Sequence, residues 1–182
     1  MRSHENEPIV VQRAVTAIAI PAGVEVNLQV GAVGYITQAL GGSFTVYVDG
    51  NLFRIAGADA DAIGMTAAKP PELPPEASEQ DIKNVIWDQL RTCYDPEIPV
   101  NVVDLGLIYE CTLHGGPEGR SVDIKMTLTA PGCGMGEVLV QDVRDKVQIV
   151  PTIVRADVEL VFDPPWNHTM MSEAARLQTG MM

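Results

Sequence analysis

Cys133 is the side chain whose chemistry most needs an explanation, because it lies in a glycine-rich stretch that runs from Leu128 to Gly136. A strand-like pattern precedes this stretch and a helix-like pattern follows it, so we expect the thiol at a bend just before a helix. The unpaired N–H groups and the positive dipole end of a helix start favour the thiolate, which binds metals and attacks electrophiles. The sequence therefore predicts a functional thiol. The alternative is that Cys133 is a small buried residue that fills a tight turn.

Three further side chains are candidates for contact with a metal. Asp95 and Glu97 flank a proline in an acidic loop, where carboxylates can orient a metal, act on a proton or fix a turn through backbone hydrogen bonds. His168 follows a predicted strand, and a neutral imidazole is a competent ligand for iron or zinc. A lone histidine is also a common surface residue. We expect Asp104 only to lead into its strand.

The other two cysteines have weaker claims. Cys93 lies at a predicted helix end and Cys111 within a predicted strand, so we expect both to be structural unless the fold brings them close to Cys133. An odd number of cysteines without a Cys-x-x-Cys pair indicates reduced thiols in a cytosolic protein.

The composition excludes several classes of partner. The formal net charge of −12 argues against binding to nucleic acid and to an anionic membrane surface. The polar N-terminal residues do not resemble a secretion signal, and no apolar run reaches the length of a membrane span. We therefore expect a soluble, cytoplasmic protein.

The elements that must position these residues form two domains in this interpretation. A proline-rich linker over 67–78 separates a small β domain over 1–66 from a larger domain over 79–182. Alternating apolar residues predict about five strands in the first domain, arranged as a small barrel or a folded-over sheet. We expect three of its aromatic residues, Tyr35, Phe44 and Tyr47, to be packing elements.

The second domain is predicted to have the element order α-β-β-α-β-α in two layers, which makes the whole chain α+β. Ser78 and Asp81 resemble a helix cap before apolar residues at helical spacing, and Asp95-Pro96 ends that helix. Strands over 105–113 and 122–128 are expected to form a hairpin with a rather long connection. A helix through Leu139 and Val143, a strand over 154–162 and a short helix over about 170–177 complete the order.

Four motifs in this order resemble the iron-sulfur assembly domain of SufT and PaaD-like proteins over roughly 79–182. They are Tyr94-Asp95-Pro96-Glu97-Ile98-Pro99, Val103-Asp104-Leu105-Gly106-Leu107-Ile108-Tyr109, Thr129-Ala130-Pro131-Gly132-Cys133 and Asp163-Pro164-Pro165-Trp166. The N-terminal β domain, which ends in Asp59-Ala60-Asp61-Ala62-Ile63-Gly64, resembles the added domain of longer SufT proteins. Many relatives have proline directly after the motif cysteine, whereas this chain has Gly134.

The resemblance implies an accessory factor of the SUF system that helps to assemble iron-sulfur clusters or to deliver them to apo-proteins. Cys133 would make transient contact with iron or with a cluster, and Asp95, Glu97 and His168 are further candidate metal ligands. No stably bound cofactor is expected, because one thiol cannot supply four ligands. The implied partners are SUF assembly proteins and apo iron-sulfur clients, and a homodimer is left open.

Three other interpretations remain open from the sequence. One is a PaaD-like factor that matures one particular oxygenase. Another is a docking scaffold that binds no metal, in which the acidic domain recognises basic partners. The third is a thiol-dependent enzyme, which we do not favour because no Cys-His pair is identifiable in the sequence.

Overall fold

The computed structural model describes residues 6–95, 98–132 and 134–181, and the chain divides into two compact units, 1–69 and 70–182. This division falls inside the segment predicted as a linker. The chain is α+β, as its apolar patterns predict. None of the helices in the described part of the chain has the length and apolar character that crossing a bilayer requires.

The first unit is an antiparallel sheet of six strands in the order β1-β4-β5-β6-β2-β3. One strand more than expected is present, because the short β1 pairs with β4 although it lies next to the polar N-terminus. A 3-10 helix over Gly57–Ile63 follows the last strand. The strands are β1 (Pro8–Val10), β2 (Val15–Ile20), β3 (Glu25–Leu28), β4 (Val33–Leu40), β5 (Ser43–Val48) and β6 (Asn51–Ile55).

The aromatic residues of this unit do not share one environment. Phe44 is buried in the core, as expected. Tyr35 and Tyr47 instead lie on the outer face of the sheet, where their rings are 5.2 Å apart and both remain exposed. The expectation that all three are packing elements is therefore wrong for the two tyrosines, because strand alternation directs them away from the core.

The second unit packs helices against one face of a three-stranded sheet in the order β7-β8-β9. Its strands are β7 (Ile108–Gly116), β8 (Gly119–Met126) and β9 (Ile153–Leu160), and its helices are α1 (Glu79–Leu90), α2 (Gly136–Gln148) and α3 (Glu173–Thr179). β7 and β8 are antiparallel, whereas β8 and β9 are parallel. This arrangement confirms the predicted order of elements.

The hairpin between β7 and β8 is tighter than expected. Gly116 pairs with Gly119, so that only Pro117 and Glu118 connect the strands. The long connection predicted from the glycines is wrong, because glycine here continues the strands to the tip rather than ending them.

Side-chain caps explain where α1 and α3 begin. Ser78 and Asp81 form a capping box at the start of α1: Asp81 N–H donates to Ser78 Oγ at 3.1 Å, and Ser78 N–H donates to Asp81 Oδ2 at 2.8 Å. α3 begins later than expected because Ser172 caps it by accepting from Ala175 N at 3.2 Å.

Candidate functional site

Three motif segments meet at one end of the three-stranded sheet. The carboxyl ends of β8 and β9 lie together because these strands are parallel, and the start of the antiparallel β7 lies beside them. Thr127 N donates to Leu107 O at 2.9 Å, and Val161 N donates to Met126 O at 2.8 Å. The segments that lead to Cys133 and to Trp166 therefore both leave the sheet at this end.

The cysteine-containing loop is closed at its base and open to solvent above it. Leu128 and Met135 are buried, whereas Ala130, Pro131, Gly132 and Gly134 are exposed. A Cβ added to Gly136 would lie only 2.6 Å from Leu128 Cδ1, so Leu128, two residues after the end of β8, is in close contact with the first residue of α2. The loop thus projects into solvent from two segments that pack against each other.

α2 starts without a side-chain cap from its own N-cap residue. Met135 occupies the N-cap position and its side chain accepts no hydrogen bond from the helix. The positive end of the helix dipole lies here, and Glu137 in the first turn is one anion that it stabilises. Cys133 precedes the first helical residue by three positions but lies outside the described residues, so its predicted role remains a prediction.

Asp95 closes the turn of the first motif. Its side chain is buried, and Asp95 Oδ1 accepts from Ile98 N at 2.9 Å. The residues on either side of this turn are held together by a bridge between Tyr94 and Asn101. This contact matches the turn-fixing role considered from the sequence, and a role in metal binding remains a prediction. Glu97 lies outside the described residues.

Asn101 organises the turn at the start of the second motif, although it is not among the residues singled out from the sequence. Asn101 Oδ1 accepts from Val103 N at 3.0 Å and from Asp104 N at 2.9 Å, while Asn101 Nδ2 donates to Asp104 Oδ2 at 2.6 Å. The spacing of an asparagine three residues before an aspartate is the signal that could have indicated this turn. Asp104 O in addition accepts from Ser172 N at 2.8 Å, so Asp104 is part of a folded turn rather than a simple entry to β7.

The Asp-Pro-Pro-Trp segment is fixed against the second motif by two hydrogen bonds. Trp166 Nε1 donates to Leu105 O at 2.7 Å, and Tyr109 Oη donates to Pro164 O at 2.7 Å. Gly106 has a positive φ of 73°, and a Cβ there would overlap the carbonyl oxygen of Met170. The glycine is thus required both by the backbone conformation and by the close approach of the later segment.

His168 lies beyond this fixed part. It begins the 3-10 helix His168–Met170 and is exposed, while Asn167 Oδ1 caps the turn by accepting from Thr169 N at 3.0 Å. Within 6–95, 98–132 and 134–181, no group of three or more His, Cys, Asp or Glu side chains is arranged to hold a metal ion. Among the described residues, His168 and Asp95 therefore do not belong to one metal-binding group.

The two described cysteines have different surroundings. Cys93 is buried, and its Sγ donates to Gln89 O at 3.7 Å. Burial raises the pKa of the Cys111 thiol to about 11. Cys111 is therefore protonated at neutral pH and is a poor ligand or nucleophile, which agrees with a structural role.

Thr127 places an unusual polar atom at the base of the loop. The residue is fully buried, and its Oγ1 has no hydrogen-bond partner among the described residues. Leaving a buried hydroxyl unpaired costs about 1–3 kcal/mol. No residue pattern indicates this feature, because threonine is an ordinary residue at a strand end.

Comparison with known proteins identifies the second unit. A family model described as iron-sulfur cluster assembly protein matches residues 83–160. An Fe-S protein maturation auxiliary factor of Porphyromonas gingivalis is 47% identical over 105 residues, which are 58% of this chain and 93% of that protein. The Fe-S protein maturation auxiliary factor SufT of Staphylococcus aureus is 36% identical over 87 residues, covering 48% of this chain and 96% of that protein.

Among solved structures, a domain of unknown function from Bacillus anthracis is similar to this chain. The sequence identity is 33% and the TM-score is 0.49, with 57% of this chain and 95% of that chain covered.

Proposed function

Because this chain belongs to the iron-sulfur cluster assembly protein family, we propose that it is an accessory factor that helps to assemble clusters or to deliver them to apo-proteins. Its relatives in Porphyromonas gingivalis and Staphylococcus aureus are named as maturation auxiliary factors for Fe-S proteins. The observation that carries the proposal is the position of the cysteine-containing loop, which leaves the sheet where the family motifs meet.

The contact with iron or with a cluster is made by Cys133 in this proposal, and the cluster is cargo rather than a resident group. A thiolate is a good ligand for iron, and the uncapped start of α2 favours the thiolate over the thiol. One thiol supplies one ligand, whereas a cluster usually takes four. The remaining positions are filled by a client, an assembly partner or a second copy, and the cargo therefore exchanges readily.

Asp95, Glu97 and His168 have secondary roles in this account. Asp95 maintains the turn of the first motif through Ile98 N, and this turn is continuous with the one that Asn101 organises. Glu97 and His168 are candidate ligands that complete the iron sphere in the loaded state. The chain acts without turnover, on SUF components and apo-clients in the reducing cytoplasm, where a thiolate persists.

Anaerobic reconstitution with iron and sulfide tests this function. The wild-type chain is expected to develop the visible absorption of a cluster, and Cys133→Ser is expected to lose it. Cys111→Ser is the matched control, because it removes a thiol whose pKa burial raises to about 11, and it is expected to behave as the wild type. Equal absorption in the wild type and in Cys133→Ser would contradict the assigned role of the thiol.

A further inference from the structure

The outer face of the N-terminal sheet carries a continuous band of apolar side chains. Residues far apart in the sequence become direct cross-strand neighbours through the pairings Pro8↔Tyr35, Tyr35↔Tyr47, Tyr47↔Leu52 and Leu52↔Ile20. We call these five residues the apolar row. Since neighbouring strands are about 4.8 Å apart, the row is about 19 Å long, which corresponds to about six residues of extended chain.

A second pair of apolar residues widens one end of this row. Val10 pairs with Val33 on the same face as Pro8 and Tyr35. These valines are 52% and 62% exposed, and the two tyrosines are 40% and 36% exposed. Single exposed apolar residues are ordinary, but contiguous ones mark an interaction site. The sheet's other face already forms the core of the unit, so this band is additional to what folding requires.

The two tyrosines determine which chemistry the row can recognise. Their ring centroids are 5.2 Å apart with a tilt of 32°, and both residues remain partly exposed to solvent. Tyrosine rings supply apolar contact with little loss of conformational entropy, and their faces attract Lys or Arg. The row therefore fits a segment that carries both apolar side chains and cations.

The charges beside the row favour a cationic partner as well. Asp49 lies in the turn that joins the strands of Tyr47 and Leu52, and Glu25 pairs with Ile18 next to the Ile20 end. Both carboxylates are exposed, and neither forms an ion pair with another described residue.

The described basic residues of the unit offset these carboxylates only in part. Arg13 contacts Asp59 at 2.8 Å and Asp61 at 2.6 Å, and this guanidinium lowers the pKa of Asp61. Arg54 lies on the same face as Leu52, pairs across the strands with Ile18, and its Nη2 donates to Ser43 Oγ at 3.0 Å. Two exposed carboxylates, those of Asp49 and Glu25, thus lie beside the row together with the guanidinium of Arg54, and this acidic excess among the described residues favours a basic segment.

We propose that the apolar row is a docking surface for a basic partner segment, in which Lys or Arg residues flank apolar side chains. The family match begins at residue 83, so this surface lies outside the matched domain. It gives the chain a means of recognising a protein partner that does not depend on the thiol.

Titration of the full chain with a synthetic peptide tests this proposal. The probe is a ten-residue peptide that alternates Lys with Leu and Pro, and its counterpart has Glu in place of every Lys. The Lys peptide is expected to shift the NMR signals of Tyr35 and Tyr47, with binding that weakens as salt is added. The Glu counterpart is expected to leave these signals unchanged.

Variants separate the row from the rest of the surface. Combining Tyr35→Ser with Tyr47→Ser is expected to weaken binding of the Lys peptide by about tenfold or more. Val30→Ser is the control, because Val30 is 65% exposed but lies outside the row, and it is expected to bind as the wild type. Cys133→Ser is also expected to bind normally, so that a failure of this proposal is distinguishable from a failure of the proposed function.

Several results would overturn the proposal. They are the absence of shifts with the Lys peptide, equal binding of the Glu counterpart, and binding that survives the double tyrosine change. Sedimentation that shows a dimer, dissociated by the double change, would assign the row to a second copy of this chain instead.

Discussion

Replacing Gly106 with alanine tests how the second motif and the Asp-Pro-Pro-Trp segment fit together. Gly106 has a φ of 73°, and an added Cβ would overlap Met170 O and lie 2.8 Å from Met170 C. Because the obstacle is backbone rather than a flexible side chain, the segment around Met170 must move. Such a movement pulls on the hydrogen bond from Trp166 to Leu105 and on the one from Tyr109 to Pro164.

The expected loss in the free energy of unfolding is the sum of a backbone conformational cost and the cost of two weakened hydrogen bonds. The left-handed conformation costs an alanine about 1–2 kcal/mol. Loss of two hydrogen bonds adds about 1 kcal/mol each. We therefore expect Gly106→Ala to lower the free energy of unfolding of the second unit by about 3–4 kcal/mol. Gly132→Ala is the matched control. Gly132 has a φ of 78°, but apart from its chain neighbours no described atom lies within 4 Å of the added Cβ, so only the conformational cost applies.

Urea unfolding followed by tryptophan fluorescence measures the difference. Trp87 and Trp166 are the two tryptophans of the chain, and both belong to the second unit, so the signal reports that unit alone. A loss in Gly106→Ala no larger than in Gly132→Ala would refute the close packing of Gly106 against Met170.

Three further predictions follow from buried polar groups. Lys146→Met should lower the free energy of unfolding by about 2 kcal/mol, because Lys146 Nζ donates to Thr92 O at 2.6 Å and pairs with the buried Asp142. The control is Lys83→Met, which removes an exposed ion pair with Glu79. In the same urea assay it should lower the free energy of unfolding by less than about 0.5 kcal/mol. Equal losses would contradict the difference in burial. The rate of alkylation of Cys111 in the folded chain should rise with pH with a midpoint of about 11, because burial favours the thiol. In the urea-unfolded chain the midpoint should be the ordinary value of about 8.5. Mass spectrometry of the Cys111 peptide measures both rates, and matching midpoints would contradict the effect of burial. Thr127→Val should raise the free energy of unfolding by about 1 kcal/mol, because it removes a buried hydroxyl that has no partner among the described residues and keeps the shape of the side chain. A loss of stability would show that the hydroxyl has a partner.

Local signals in the sequence predicted much of the second unit. The Ser78–Asp81 cap and the apolar spacing of Leu139, Val143 and Val147 identified α1 and α2, because caps and helical periodicity depend on neighbouring residues only. The tip of the β7–β8 hairpin was misjudged, because a glycine that ends a strand and one that pairs within it have the same sequence signal.

The long-range contacts between strands could not be predicted from local sequence patterns. The parallel pairing of β8 with β9 brings the cysteine-containing loop beside the Asp-Pro-Pro-Trp segment, and no local pattern specifies that pairing. The apolar row likewise exists only through strand register, since Pro8 and Tyr35 are 27 positions apart in the chain. The turn organised by Asn101 had a local signal, but the flanking motif residues drew attention to Asp104 instead.

Transfer of a cluster to an apo-protein tests the central role of Cys133 most directly. The chain is loaded anaerobically with iron and sulfide and mixed with an apo-ferredoxin, and the recovery of the ferredoxin spectrum is followed over time. We predict transfer by the wild type and by Cys111→Ser, and no transfer above the free iron and sulfide background by Cys133→Ser. Transfer by Cys133→Ser at the wild-type rate would contradict the account.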